Sequence, residues 1–245
     1  MSDQKNILVV SAHAADFVWR AGGAIALYAQ RGYRVRILCL SYGERGESQG
    51  SWKQPGMTIE RVKEIRHAES TRAAGILAGP NGVAEVRFFD CGDYPIVINQ
   101  TVIDDMVKEY RELQPEFVLT HPYLDPYNPD HPTANQVTLQ TRIYAQALGY
   151  PAPGKPLDAP PVFMFEPHQP EQCEFKPEVL LDITPVWDLK QKSMESMEAQ
   201  GHLWKYYTDL GSRRGTQAGR NGGDKSIKFA EAFQRVYPQV TDQLS

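Results

Sequence analysis

Apolar and polar positions along the first two thirds of the chain switch between strand-like and helix-like periods, in the repeating order strand, helix, strand. Residues 7–10, ILVV, form an unbroken apolar run, the pattern of a strand buried on both faces of a parallel sheet. Phe17, Ala21, Ala24, Ile25 and Leu27 then recur at helical spacing to about Gln30, and Gly32 ends that helix. Residues 34–41 read as the second strand, and a strand–helix–strand unit of this length is a right-handed crossover, which predicts parallel pairing. The pattern continues with helices over 58–77, 102–113 and 133–147 and strands over 85–89, 116–120 and 162–165. The expected fold class is α/β, a Rossmann-like, mostly parallel sheet flanked by helices.

Two loops break this rhythm directly after strands. Residues 43–56, GERGESQGSWKQPG, combine glycine, serine and proline with paired charges and should cross the active-site edge of the sheet. Residues 121–132, HPYLDPYNPDHP, hold four prolines and two histidines, a composition that excludes regular structure. Residues 151–161 read as a linker. Beyond them the spacing predicts a strand over 179–183, a helix from Pro185 through Ala199, a glycine-rich loop over 211–224 and a final helix over 225–236. The expectation is one catalytic domain spanning 1–245, with a core to about residue 175 and a C-terminal helical extension over 176–245.

Composition narrows the function. The chain has 245 residues and a net charge of −4, with no stretch of Lys or Arg along one face, so nucleic acid is not expected as a partner. Its longest apolar runs are strand-sized, which excludes a membrane-spanning helix, and the amino-terminal MSDQKN lacks the apolar core of a signal peptide. A cytoplasmic protein is expected. Cys39, Cys91 and Cys173 are odd in number and show no C-x-x-C spacing, so they read as small buried hydrophobes.

Chemistry gathers at two strand ends. His13 and Asp16 follow the first strand through small residues that permit a tight turn, and Asp130 and His131 follow the fourth. A parallel sheet brings both loops to one edge, where open α/β sheets bind ligands. A lone histidine in a loop is more often a surface or capping residue. Two imidazoles converging with a carboxylate instead suit a catalytic zinc site with open positions, or Fe2+ or Co2+.

These residues resemble the zinc-dependent N-acetylglucosaminyl deacetylases of the PIG-L or LmbE-like family. The family motif A-H-P-D-D-E is matched by Ala12-His13-Ala14-Ala15-Asp16-Phe17, followed by Gly22-Gly23. H-P-D-H is matched by Asn128-Pro129-Asp130-His131, and G-E-x-G-E by Gly43-Glu44-Arg45-Gly46-Glu47. The resemblance implies His13, Asp16 and His131 as metal ligands with Asp130 behind them, and it puts Arg66 and Asp93 where the family holds substrate. Two departures stand out. The deacetylase general base corresponds to Ala15, and the oxyanion-stabilising histidine to Asn128, so the equipment for amide hydrolysis is missing. One group within this resemblance, the 4-oxalomesaconate (4-carboxy-2-hydroxymuconate) hydratases of gallate and protocatechuate catabolism, also matches S-Y-G-E-R-G-E at 41–47, F-E-P-H-Q-P-E-Q-C at 165–173 and D-I-T-P-V-W at 182–187. It implies a zinc-dependent hydratase acting on an unsaturated polycarboxylate, with deacetylation of an N-acetyl sugar as the alternative.

On that reading Glu47 is the candidate base and His168 the candidate acid, with His121 in reserve. His67 and His202, in expected helices, are assigned to surface or packing. Carboxylates call for arginines, whose forked donors match them. Arg20, Arg45, Arg66 and Arg220 are the substrate-binding candidates with Asp93 and Asn128, and Arg213 and Arg214 lie nearby in sequence. Trp52, Tyr123 and Tyr127 are possible pocket linings. Similar proteins are oligomeric, so a homo-oligomer is expected.

Overall fold

The computed structural model describes residues 4–242. Residues 1–3, half of the amino-terminal MSDQKN stretch, and residues 243–245 lie outside that range.

The strands are β1 (Asn6–Ser11), β2 (Arg34–Cys39), β3 (Val83–Phe88), β4 (Phe117–Thr120), β5 (Val162–Phe165), β6 (Val179–Asp182) and β7 (Ala230–Arg235). They form a seven-stranded sheet in the order β3-β2-β1-β4-β5-β7-β6. β3, β2, β1, β4 and β5 pair in parallel, and β7 runs antiparallel between β5 and β6. The chain leaves β1 towards β2 and β3, then returns to β4 on the other side of β1. The carboxyl ends of β1 and β4 therefore flank the switch point at which doubly wound sheets open a crevice.

The apolar run in β1 serves two cores at once, because side chains alternate across a strand. Ile7 and Val9 join the cluster beneath α1 (Asp16–Gln30), α3 (Ile59–Ala78), α6 (Trp187–Glu195) and α7 (Trp204–Arg220). Leu8 and Val10 face the other cluster, under α4 (Gln100–Leu113) and α5 (Asp130–Gln146). A short helix, α2 (Gln49–Trp52), lies in the 43–56 loop. All three cysteines are free; Cys39 and Cys173 are buried and Cys91 is half-buried. Among the described residues no helix is long and apolar enough to cross a membrane.

The C-terminal third departs from its expected pattern twice. The glycine-rich segment expected as a loop over 211–224 is mostly helix α7, and the expected final helix over 225–236 is instead β7. Gly211 and Gly215 sit one turn apart on the face of α7 that meets Trp187 and the backbone before β7. A Cβ would stand 3.0 Å from the Trp187 ring at Gly211 and 2.2 Å from the Lys228 carbonyl oxygen at Gly215. These glycines mark close approach rather than flexibility. β7 reads AEAFQR, a sequence of helix formers, but its ladder bonds to β5 and β6 and the burial of Ala230, Ala232 and Phe233 override local propensity.

The middle of α1 is tied to this region. Glu231 on β7 accepts from the Gly23 and Ala24 N–H groups at 2.7 and 2.8 Å, and Lys190 bonds both Glu231 and the Trp19 carbonyl at 2.6 and 3.0 Å. Gly23 is dictated by the same packing, since a Cβ there would lie 2.6 Å from Ile183 Cγ2. Gly23→Ala is expected to cost about 1–3 kcal/mol through overpacking, read as a lower thermal midpoint. Combining it with Ile183→Ala should cost less than the sum of the two single changes; strict additivity would show that no such contact limits the site.

Candidate active site

Three side chains from the two strand ends meet at the switch point. Ligand-type atoms of His13, Asp16 and His131 all lie within 4.8 Å of one another, and all three residues are buried. Asp16 opens α1, and its Oδ2 accepts from the His13 backbone N–H at 2.9 Å and lies 3.0 Å from His13 Nδ1. Its Oδ1 is 3.6 Å from His131 Nε2 and 3.5 Å from Arg20 Nε.

Each ring nitrogen that points away from Asp16 is backed by a separate acid. His13 Nε2 lies 3.2 Å from Asp130 Oδ2, and His131 Nδ1 lies 2.7 Å from Asp125 Oδ2. Asp130 also accepts from the Tyr94 and Ile96 N–H groups, so it fixes the 93–96 loop as well as the imidazole. Asp125 was not singled out from the sequence. Its only signal is its position between two prolines, six residues before His131.

The electrostatics are those of a buried cluster in need of positive charge. Burial works against the ionised form of Asp16, but His131, His121 and His13 around it hold its carboxyl well below the usual carboxylate range. Burial also works against a charged His13, yet Asp16 and Asp130 outweigh it and push its pKa up to about 10. His131 Nε2 is buried without a hydrogen-bond partner. A divalent cation of the zinc kind fits this donor set: two imidazoles and one carboxylate converge, one nitrogen is unpartnered, and carboxylates orient both rings.

Beside the cluster opens a cavity of about 200 Å³ whose lining includes Arg20, Glu47, Asn128, His168, Gln200 and His202. Glu47 is held by neutral donors on both oxygens. Tyr94 Oη and Asn128 Nδ2 donate to Oε1, both at 2.9 Å, and Gln200 Nε2 donates to Oε2 at 3.0 Å. Gly43, at φ +65°, lets this loop close over the cluster; a Cβ there would sit 2.8 Å from Glu47 Cβ and 3.2 Å from His13 Cβ. Position 15 is different. The Ala15 methyl is buried in the core under α1 and does not line the cavity.

Several expected site residues lie elsewhere. Asp93 is fully buried with its carboxylate committed to the Arg45 and Gly46 N–H groups, so it shapes the loop instead of meeting substrate. Arg45 is exposed and donates to the Asp93 carbonyl at 2.8 Å. Arg66 is fully buried between Glu69 and Gln200. Arg220, with Arg213 and Arg214, lines a separate surface depression at the end of α7, where Glu166 holds Arg214. The reserve acid His121 has no access to the cavity: it is fully buried, takes the Ala12 N–H on Nε2 at 2.9 Å and stacks on His131 at 4.2 Å. Burial and the neighbouring His131 keep its pKa well below the ordinary imidazole range.

Arg20, Asn128, Glu47 and His168 do line the cavity, as does Tyr127; Tyr123 and Trp52 do not. His202, assigned to surface or packing from the sequence, sits on the rim. His67 lies exposed on α3 against Phe88 at 5.2 Å. His168 is half-buried and stacks on Tyr206 at 4.1 Å; burial, and then Arg20, push its pKa below the usual imidazole range.

A doubly wound sheet with a His–Asp–His cluster at its switch point defines a class, and comparison with known proteins places the chain in it. Residues 8–141 match the family model described as PIG-L, GlcNAc-PI de-N-acetylase, and the chain belongs to this family. Within it, the chain is 51% identical to the 4-oxalmesaconate hydratase of Pseudomonas putida KT2440, over 99% of this chain and 93% of that protein. The crystal structure of GalB, the 4-carboxy-2-hydroxymuconate hydratase from P. putida KT2440, superposes with a TM-score of 0.94 at 50% identity, covering 99% of this chain and 100% of that one. N,N'-diacetylchitobiose deacetylase from Pyrococcus horikoshii shares the fold, with a TM-score of 0.76 at 20% identity over 96% of this chain and 84% of its own.

Asp125 gives the cluster its own test. Asp125→Asn should weaken zinc binding about 10- to 100-fold, the usual effect of removing a carboxylate behind a ligating imidazole, in titrations against a competing chelator. His131→Ala should abolish binding. Unchanged affinity in Asp125→Asn would mean that the carboxylate does not support the ring.

Proposed function

We propose that this chain is a metal-dependent hydro-lyase that adds water to the C=C bond of 4-carboxy-2-hydroxymuconate, the tautomer of 4-oxalomesaconate, in bacterial breakdown of gallate or protocatechuate by 4,5-cleavage. The observation that carries the reading is the relocation of the carboxylate available for proton transfer. Position 15 offers only a buried methyl, while Glu47 stands in the cavity with both oxygens held by neutral donors. The full-length similarity to a 4-oxalmesaconate hydratase supports it. The chain acts as a single catalytic unit, cytoplasmic and homo-oligomeric, on a small polycarboxylate.

His13, Asp16 and His131 would hold the metal, zinc in the first instance. Bound there, it supplies Lewis acidity that lowers the pKa of water towards about 7. Glu47 then needs to be only a modest base. It takes the proton from the attacking water as oxygen adds to the alkene, and the alkene electron pair moves towards the conjugated oxo group. The resulting enolate carbon needs a proton, and His168 is placed in the same cavity to return it. Burial, and then Arg20, lower its pKa, so once the ring has taken a proton from solvent its protonated form is a stronger acid than an exposed histidine and gives that proton to the carbon, while the proton held by Glu47 returns to solvent. Arg20 is the one arginine among the cavity-lining residues and is assigned to a substrate carboxylate. Asn128 serves by holding Glu47.

The deciding experiment follows the conjugated ultraviolet absorbance of 4-carboxy-2-hydroxymuconate with zinc-loaded protein, with and without chelator. Chelator-sensitive bleaching is expected; metal-loaded protein that leaves the chromophore intact would overturn the assignment. Glu47→Gln should retain metal and lose about 10²- to 10⁴-fold in kcat, the range for a positioned base. Full activity in that variant would remove Glu47 from the mechanism.

A further inference from the structure

Gln200 lies in the short 3-10 segment Glu198–Leu203, far in sequence from every motif, yet its side chain is buried and ends on Glu47. Its amide can be oriented in only one way. Oε1 accepts from Arg66 Nη2 at 2.9 Å and from Trp19 Nε1 at 3.3 Å. Guanidinium and indole N–H groups are donors only, so the atom facing them must be the carbonyl oxygen. The NH2 group is thereby turned onto Glu47 Oε2 at 3.0 Å. Arg66 is itself pinned, since its Nη1 donates to Glu69 Oε2 at 2.6 Å. Glu69 Oε1 in turn accepts from the Ala199 N–H at 3.0 Å, which fixes the backbone next to Gln200.

We infer that Gln200 is a positioning residue for Glu47: the buried Glu69–Arg66 pair and Trp19 lock its amide as an obligate donor, and that donor holds one carboxylate oxygen while leaving proton transfer to the other face of the group. The inference rests on the proposed role of Glu47 as base. A rotatable hydroxyl or an amide free to flip would not do the same, because either could present an acceptor to the carboxylate. The lock also explains why Arg66, the residue expected to meet substrate, is buried away from the cavity. It acts on the site through Gln200, two hydrogen bonds from Glu47.

Gln200→Glu tests this directly. Glutamate keeps the acceptors for Arg66 and Trp19, but it replaces the donor facing Glu47 with an oxygen of like charge. Zinc-loaded Gln200→Glu is expected to retain its metal stoichiometry, to lower its thermal midpoint because two carboxylates then face each other out of water, and to lose about 10- to 100-fold in kcat, the worth of a hydrogen bond to a charged group, with KM changed less than about threefold. In the Glu47→Gln background the same change should have no further effect. Gln200→Glu with kcat near that of the parent would overturn the inference while a dead Glu47→Gln left the hydratase reading standing. A further loss in the Glu47→Gln background would also overturn it, since Gln200 would then act through something other than Glu47. Gln200→Met, which removes donor and acceptor together, should lose both kcat and thermal stability; a stable, fully active Met variant would count against the lock.

Discussion

The structure turns on one buried carboxylate. Asp16 sits at the start of α1, at the carboxyl end of β1, with three imidazoles and a guanidinium around it. A carboxylate out of water is costly unless it is paired and hydrogen-bonded. That requirement decides what the neighbouring loops can be. β1 must end in small residues so that His13 folds back onto Asp16, and β4 must pair directly with β1 so that the 121–132 loop can deliver His131 from the other side. The parallel pairing of Ile7 with Phe117 through Val9 with Leu119 secures this. The same geometry leaves His131 Nε2 aimed at Asp16 without a partner, the arrangement a cation completes.

Around this fixed cluster the acid–base equipment is movable. Where the resembling deacetylases carry an aspartate this chain has Ala15, packed into the core, and where they carry a histidine it has Asn128. The second change gives the first a physical context. An imidazole at position 128 would offer Glu47 a single nitrogen, whereas the Asn128 amide serves two purposes at once: its NH2 donates to Glu47 and to Tyr94 Oη, and its Oδ1 accepts from the Asp130 N–H at 3.1 Å. A carboxylate held in place on the 43–47 loop lines the cavity beside the cluster, whereas the methyl at position 15 is packed into the core. Water addition to an alkene and hydrolysis of an amide both need a deprotonated water, but only the second must also expel an amine, so a different placement of base and acid suits each.

Much of this was legible in the sequence because it is local. The strand-to-loop transition at 7–16 and the histidine-containing loop at 121–132 each announce themselves within about ten residues, and a parallel sheet is enough to bring them together. Asp125 carries no comparable signal, because its partner is set by the path of a proline-rich loop, which no periodicity encodes. Arg66 and Asp93 were assigned to substrate by resemblance, but a formal charge on a helix or loop carries no information on whether its partner is a ligand, a backbone N–H or another side chain. For Asp93 the partner is the loop backbone, and for Arg66 it is Gln200. The C-terminal third departs from its local pattern for a related reason. Glycines at 211, 215 and 219 recur every four residues, a helical spacing whose meaning lies in what the helix packs against, and β7 carries helix-forming residues whose conformation is set by β5 and β6.

That third also supplies part of the cavity lining. Gln200, His202, Leu203 and Tyr207 all come from residues 198–207 and line the cavity together with Asp16 and His131. They hold their places only if this segment is anchored to the N-terminal core, and two buried ion pairs do so. Lys190 and Glu231 bridge α6 and β7 to the backbone of α1, and Glu69 on α3 takes the Ala199 N–H. Buried pairs of this kind contribute little net stability, since desolvation offsets much of their attraction. Their value here is positional: each commits its charge to backbone groups on a different element, so the wall can sit against α1 and α3 in only one register. The contact between the Gln200 amide and Glu47 is thereby set by interactions remote from the cavity.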